Sequence, residues 1–365
     1  MTLSTVSRPR AAVPKFVTSA NLVSFLEWTL DRARHAVQGI DEAPVHFTLH
    51  DLTVTLVSAN REYKRIARQR LDSRTASDDG NAISIALLSP DDSDMPPPPA
   101  WGEAIYHPRE IEKRLDGTPF RATYFHDDQL WQIYNHREGF GVQWMRGADS
   151  YPPWESGAPL RVFLHWAYRF LNKRLVHAGT LGQGGRGILL AGKGGSGKSG
   201  TVVGGIVHGL DSVGDDYVLV EMGSQEAYAY PLFRTLKQDL EGLNRLGLAP
   251  MVADEHQVNW QNKYELRIED FGKSFADRLE VAALVIPRIT NGPVSSFAPL
   301  SRSRAMLALA PSGLMQMPGE RESGVSFYSE LVRRAACYEL RLGTDPEEIS
   351  DVIADFIDKA SGRVN

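Results

Sequence analysis

Gly192-Lys193-Gly194-Gly195-Ser196-Gly197-Lys198-Ser199 is the stretch on which the reading of this chain turns. Two glycines, a lysine and a hydroxyl residue stand at the spacing of a phosphate loop. Upstream, residues 187–191 (GILLA) form a short apolar run behind a glycine, the pattern of a buried strand. Downstream, residues 201–208 (TVVGGIVH) are mostly apolar and suit a helix. In a strand–loop–helix setting, glycines let the backbone adopt left-handed conformations and curl its N–H groups around an anion. The following helix adds the positive end of its dipole. Lys198 has the reach for β- and γ-phosphates, and the Ser199 hydroxyl suits magnesium. The spacing predicts nucleotide binding over 192–200, Gly200 included; a plain glycine-rich turn would need neither Lys198 nor Ser199 where they stand.

Working outward, Asp215 and Asp216 lie within residues 211–221 (DSVGDDYVLVE), which read as a strand carrying an acidic pair. Phosphoryl transfer needs one carboxylate to hold magnesium and another to accept the proton of an attacking hydroxyl. The apolar residues 217–220 directly after the pair argue against a solvated turn. Residues 175–180 (LVHAGT) read as a strand joined to the loop strand through the turn LGQGGR, with His177 inside it. On composition alone, a satisfied strand histidine is the plain reading of His177. Residues 230–237 (YPLFRTLK) set Arg234 and Lys237 three apart, either as cations for a transferring phosphate or as ordinary charges on a helix face. Arg288, just past a strand expected over 281–286, is a third cation candidate, because strand ends in open α/β sheets face the ligand crevice.

The chain has 365 residues, enough for two domains, with 42% hydrophobic and 23% charged residues. A formal net charge of −5 opposes a dedicated nucleic-acid binder. The single cysteine, Cys337, excludes an internal disulfide framework and a cysteine-rich zinc site and reads as a core thiol. No apolar run approaches the ~18 residues of a membrane span, and the N-terminus lacks the apolar core of a signal peptide, so a cytoplasmic protein is expected.

Residues 1–15 read as a loose arm. A helix is expected over 19–38, a strand over 47–57 and a basic helix over 60–71, with a solvated face. Residues 72–100, acidic and then proline-rich, read as loop. Strands are expected over 122–134 and 140–145; His126-Asp127-Asp128 in the former reads as a polar turn rather than a metal site. The sequence YPPWESGAPL, 151–160, marks a boundary, and the later pattern gives helices near 159–174, 300–310, 326–336 and 346–360 with a strand at 338–342.

Taken together, LVHAGT, GRGILLAGKGGSGKS and SVGDDYVLVE resemble HPr kinase/phosphorylase and its bacterial HPr-kinase-like relatives, whose fold is similar to the nucleotide domain of phosphoenolpyruvate carboxykinase. In that family a His-X-Gly segment, a phosphate loop and an Asp-Asp strand come in this order. Here they are His177-Ala178-Gly179, residues 192–199 and Asp215-Asp216. The resemblance is close over residues 175–221 and elsewhere extends only to segments such as VIPRI and YELRLG. It implies ATP- and magnesium-dependent phosphorylation of a hydroxyl, with Asp215 or Asp216 as base, His177 supporting it, Lys198 on the phosphates, and Ser199, Asp215 and Asp216 around the metal. The family's Glu-Ile-Arg-Gly-Leu-Gly run has only a faint echo in Tyr264-Glu265-Leu266-Arg267, and Gly200 stands where relatives carry Ser or Thr. The acceptor implied is therefore not HPr itself but a serine or threonine of another peptide or protein, or a small hydroxylated molecule.

The expectation is an α/β protein. Residues 156–365 form an HPr-kinase-like nucleotide domain with a P-loop mixed sheet flanked by helices. Residues 1–155 form a smaller α+β domain for substrate recognition or oligomerisation. Expected partners are ATP, the hydroxyl acceptor and further copies of the chain, with no nucleic acid and no membrane. The alternative is a nucleotide-binding sensor or scaffold that transfers nothing.

Overall fold

The computed structural model describes residues 14–74, 80–103, 108–252, 258–319 and 322–360. The elements begin with β1 (Phe16–Val17), α1 (Leu22–Ala36), β2 (Val45–Leu49), β3 (Leu52–Val57), α2 (Arg61–Arg70) and β4 (Ala82–Leu88). Next come β5 (Ala100–Trp101), α3 (Pro108–Arg114), β6 (Phe120–Phe125), β7 (Leu130–Asn135), β8 (Phe140–Trp144) and α4 (Arg161–Phe170). Then follow β9 (Lys173–Val176), β10 (Gly179–Gln183), β11 (Arg186–Leu190), α5 (Lys198–Val207), β12 (Val218–Met222), β13 (Ala227–Tyr230) and β14 (Thr235–Gln238). The chain closes with α6 (Leu240–Arg245), β15 (Tyr264–Arg267), β16 (Leu279–Gly292), β17 (Ser296–Pro299), α7 (Arg302–Gln316), α8 (Glu322–Arg334), β18 (Ala336–Gly343) and α9 (Pro346–Ala360). Two units emerge: Met1–Val45 with Thr55–Arg61 and Ile83–Tyr151, and His46–Val54 with Glu62–Ala82 and Pro152–Asn365.

In the first unit β6, β7 and β8 form an antiparallel meander, and β8 runs parallel to β4, Ser84 opposite Phe140 and Leu88 opposite Trp144. Helix α1 contributes Leu22, Phe25, Leu26, Leu30 and Ala33 to one core with Trp131, Ile133, Val142 and Trp144. The expected loop over 72–100 is overturned at its middle and holds over its proline run. Its middle is β4, whose near-continuous burial hides the alternation that announces a strand. The proline run is loop as expected, tied down because buried indole donors need acceptors: the N–H groups of Trp144 and Trp131 donate to the carbonyls of Pro96 (2.7 Å) and Pro99 (2.8 Å). Residues 75–79 of that stretch, and 1–13 of the expected arm, lie outside the described residues. The expected strand over 122–134 is a hairpin, with His126 and Asp127 in an exposed turn between β6 and β7.

The second unit is built on a mixed sheet, β10-β11-β16-β13-β12-β9, with β18 beside β16 and β17 beside β18. Its centre is parallel: β11 with β16, and β16 with β18. Alternation along the strands explains the apolar run of residues 188–190. Ile188 and Leu190 pack with Val202, Val203 and Ile206 of α5 and Ile353 and Ile357 of α9. Leu189, between them, packs on the opposite face with Ala305 and Leu309 of α7 and Tyr328 and Leu331 of α8. Both sheet faces are covered, and the class is α/β as expected. Among the described residues no helix is long and apolar enough to cross a membrane.

Four local expectations change. Residues 175–180 are not one strand: β9 ends at Val176 and β10 begins at Gly179. The acidic pair precedes β12 rather than lying within it. Lys237 sits on a strand, and β16 continues past Arg288 to Gly292.

Residues before 156 supply part of the second unit. Tyr63 donates to Glu155 and Lys173 pairs with Asp51, while Arg70 donates to the Glu265 carbonyl at 3.2 Å. Cutting the chain at 155 is expected to unfold the remainder, since breaking one buried ion pair costs about 3–5 kcal/mol against a total stability of about 5–15 kcal/mol. A cooperative, wild-type-like thermal transition of residues 156–365 by circular dichroism would contradict this.

Candidate functional site

The loop between β11 and α5 takes its shape from three glycines with φ of 146° at Gly192, 77° at Gly195 and 98° at Gly197, a region that other residues enter only with strain. Gly197 is also needed for space: a Cβ there would lie 2.6 Å from Leu342 Cδ1. Lys193, Gly194 and Gly195 are exposed at the crest, whereas Lys198 is buried and donates to the Gly192 carbonyl at 2.8 Å. Burial pushes the Lys198 ammonium below its ordinary value, partly offset by the charges of Asp215 and Asp216. The Ser196 hydroxyl is buried with no hydrogen-bond partner among the described residues.

The acidic pair sits in a contorted bend, with φ of 149° at Gly214 and 72° at Asp216. A left-handed conformation at a non-glycine residue costs of order 1–3 kcal/mol and collects at functional sites. The bend turns the two carboxyls to different partners. Asp215 is 1% exposed; its Oδ2 accepts from the Lys237 N–H at 3.4 Å and its Oδ1 has no partner among the described residues. Burial and the neighbouring Asp216 push its carboxyl up, opposed by the Ser199 hydroxyl and the Lys198 charge. Asp216 Oδ1 lies 2.9 Å from His177 Nε2 and its Oδ2 accepts from Lys237 Nζ at 2.9 Å. Burial pushes the Asp216 carboxyl up too, but the Lys237 charge and the hydrogen bonds from His177 and Lys237 overcome this and hold it well below the usual carboxylate range.

Sheet register brings His177 to Asp216. Strand β9 pairs antiparallel with β12, Val176 opposite Val218, so the next residues outward are His177 and Tyr217. Their rings stack at 5.2 Å, and the Tyr217 hydroxyl donates to Gln316 at 2.7 Å and accepts from Arg161 Nη1 at 2.9 Å. His177 Nδ1 is buried without a hydrogen-bond partner among the described residues. Behind the histidine, a Cβ on Gly179 would meet Val202 Cγ2 at 2.5 Å and Asp215 Oδ1 at 3.2 Å, so only glycine lets α5 and the acidic bend approach so closely. Lys237 arrives on β14, opposite Glu265 of β15, whose Oε1 is 4.0 Å from its ammonium.

His177, Lys198, Asp215, Asp216 and Lys237 are thus gathered from separate elements. Arg234 and Arg288 are not. Arg234 pairs with Asp72 (3.5 Å) and Glu269 (3.3 Å). Arg288 is opposite Arg341 in the β16–β18 register and lies 3.9 Å from Glu339. Its neighbour Ile289 faces Gly197, so strand alternation sends Arg288 to the other face. Sequence reasoning missed Arg161 and Tyr217, which prop the histidine, and Glu265 as a second counter-charge for Lys237; no local pattern signals contacts so distant along the chain.

Magnesium fits this donor set. Asp215 carries a buried oxygen with no partner, and the Ser199 hydroxyl acts on the same carboxyl. Among the described residues no three His, Cys, Asp or Glu form a cage of their own. Magnesium typically takes one or two carboxylates together with substrate phosphates.

The Lys237–Asp216 pair also sets a pH dependence. Asp216 has its folded value depressed, so the pair stabilises the fold above the unfolded carboxylate range near pH 4 and ceases to do so as pH falls below it. Lys237→Met is expected to cost about 2 kcal/mol at pH 7, less than for a fully buried pair because the Asp216 side chain is 23% exposed. The deficit should shrink below pH 4. Guanidinium unfolding at pH 7 and pH 3 checks this; equal deficits at both would exclude it.

No protein-family profile matches the sequence, and no curated protein matches it. Among solved structures, the chain is similar to the HPr(Ser) kinase/phosphatase from Coxiella burnetii, at 11% identity and a TM-score of 0.29, over 52% of this chain and 99% of that one. The likeness is distant, and the functional reading rests on this chain's own residues.

Proposed function

We propose that this protein is an ATP- and magnesium-dependent phosphotransferase acting on a hydroxyl group. The observation that supports it best is the meeting of the loop's Lys198 and Ser199 with an acidic pair whose two carboxyls face different partners: Asp216 lies against His177 and Lys237, while Asp215 keeps a buried oxygen with no hydrogen-bond partner among the described residues. In this reading the amides of 193–199 bind the β- and γ-phosphates, aided by the dipole of α5. Asp215 and Ser199 hold magnesium, which neutralises charge on the phosphates. Asp216, kept ionised, receives the acceptor proton. The acceptor oxygen forms its bond to the γ-phosphorus as the bond from that phosphorus to the β–γ bridging oxygen breaks, releasing ADP. A carboxylate of low basicity suffices, because in a loose transition state the proton departs late and position matters more than base strength. His177 orients Asp216, and Lys237 offers its charge to the transferred group.

Incubating the protein with γ-labelled ATP, magnesium and cell extract should transfer label to a serine- or threonine-containing peptide or protein, or to a small hydroxylated molecule. Nucleotide binding without transfer to any acceptor would instead support a sensor or scaffold. Absence of nucleotide binding at millimolar concentration would exclude both.

A further inference from the structure

Helix α5 carries three glycines, and packing accounts for only one of them. A Cβ on Gly205 would come within 2.5 Å of the Leu181 side chain. At Gly204 it would meet Leu246 Cδ2 at 3.5 Å and Pro346 Cβ at 3.7 Å, and at Gly200 it would meet Gln238 Nε2 at 3.4 Å, all ordinary contact distances. Alanine fits at both positions and would strengthen the helix by about 1 kcal/mol each. What the missing side chains leave open is a cavity of about 220 Å³ between α5, α6 and the turn from β18 into α9. Its walls are largely apolar, with Leu246, Leu342 and Ile349, and the polar lining comes from Thr201, Gln238, Thr344 and Arg245. Gly200 and Gly204 are four apart and lie on one face of α5. Gly197, the last glycine of the phosphate loop, also lines the cavity.

From this we infer that the cavity between α5, α6 and the β18–α9 turn is the nucleoside subsite, receiving the base and ribose of the nucleotide whose phosphates occupy the loop. The inference rests on the phosphate-site reading above and adds the position and character of the base contacts. A polyphosphate bound over residues 193–199 continues into a nucleoside, and a largely apolar slot that shares Gly197 with the loop supplies the faces against which a flat base packs. The two glycines give the ring access to the helix backbone, and the Arg245 guanidinium is a planar cation suited to stacking on it.

Titration calorimetry with magnesium separates the two readings. The wild type should bind ATP or GTP at least about tenfold more tightly than inorganic tripolyphosphate, the base contributing apolar burial that the bare anion lacks. Filling the cavity with Gly204→Leu should weaken nucleoside triphosphate binding about tenfold or more and leave tripolyphosphate affinity within about threefold. If Gly204→Leu weakens both ligands equally, Ile349→Phe, on the α9 wall, decides in its place. Unchanged nucleotide affinity in a folded cavity-filling variant would overturn the nucleoside subsite, as would equal affinity of the wild type for ATP and tripolyphosphate. Failure of the wild type to bind either ligand would instead remove the phosphate site on which the subsite depends.

Discussion

Replacing Lys198 with alanine is expected to lower kcat/KM for phosphate transfer by about 10²–10³-fold, the range for removing one preorganised donor from a developing charge. It should do so without unfolding the protein. Lys198 is buried at the base of the loop and its ammonium donates to the Gly192 carbonyl at 2.8 Å. Burial makes the charged form costly there, and a bound polyphosphate would supply the compensating charge. Lys198→Ala should therefore leave thermal stability unchanged or raised while nucleotide affinity falls. Lys198→Arg should not rescue, because the planar guanidinium does not fit where a compact ammonium turns back onto a backbone carbonyl. Transfer by the alanine variant within threefold of wild type would remove Lys198 from the phosphate site.

The second large effect concerns the acidic bend. Asp216→Asn is expected to cut transfer about 10²–10⁴-fold, the contribution of a positioned proton acceptor, with nucleotide affinity nearly preserved. Asp215→Asn should act differently, raising the magnesium concentration needed for half-maximal binding. The division follows from the partners: Asp216 faces His177 and Lys237, whereas Asp215 has the influence of Ser199 and an oxygen without a partner. Because Asp216 is held well below the usual carboxylate range, it remains a proton acceptor throughout pH 5–8, and the rate should show no acidic limb from it in that window. Transfer surviving in Asp216→Asn but lost in Asp215→Asn at saturating magnesium would reverse the two assignments.

Legibility in the sequence followed the range of the physics. The glycine-rich loop between β11 and α5 could be read because its geometry is local: Gly192, Gly195 and Gly197 take left-handed backbone angles that glycine alone adopts freely. The apolar run before it could be read as a strand because successive residues go to opposite, equally covered faces. Strand β4 escaped for a related reason: its apolar residues are buried nearly throughout and lie beside an acidic, proline-rich stretch that reads as loop. His177 looked ordinary by composition; what distinguishes it is a pairing register with β12 that no local pattern carries.

Amino-acid order alone decided the α/β class and the glycine-shaped turn before α5, since each depends on neighbours a few positions away. Folding in three dimensions assigned the partners. It put Lys237 on a strand against Asp216, sent Arg234 to Asp72 and Glu269, and left Arg288 on the sheet face away from Gly197. Cations so alike in sequence differ because charge acts through space over a few ångströms, and only strand pairing determines which ones come that near.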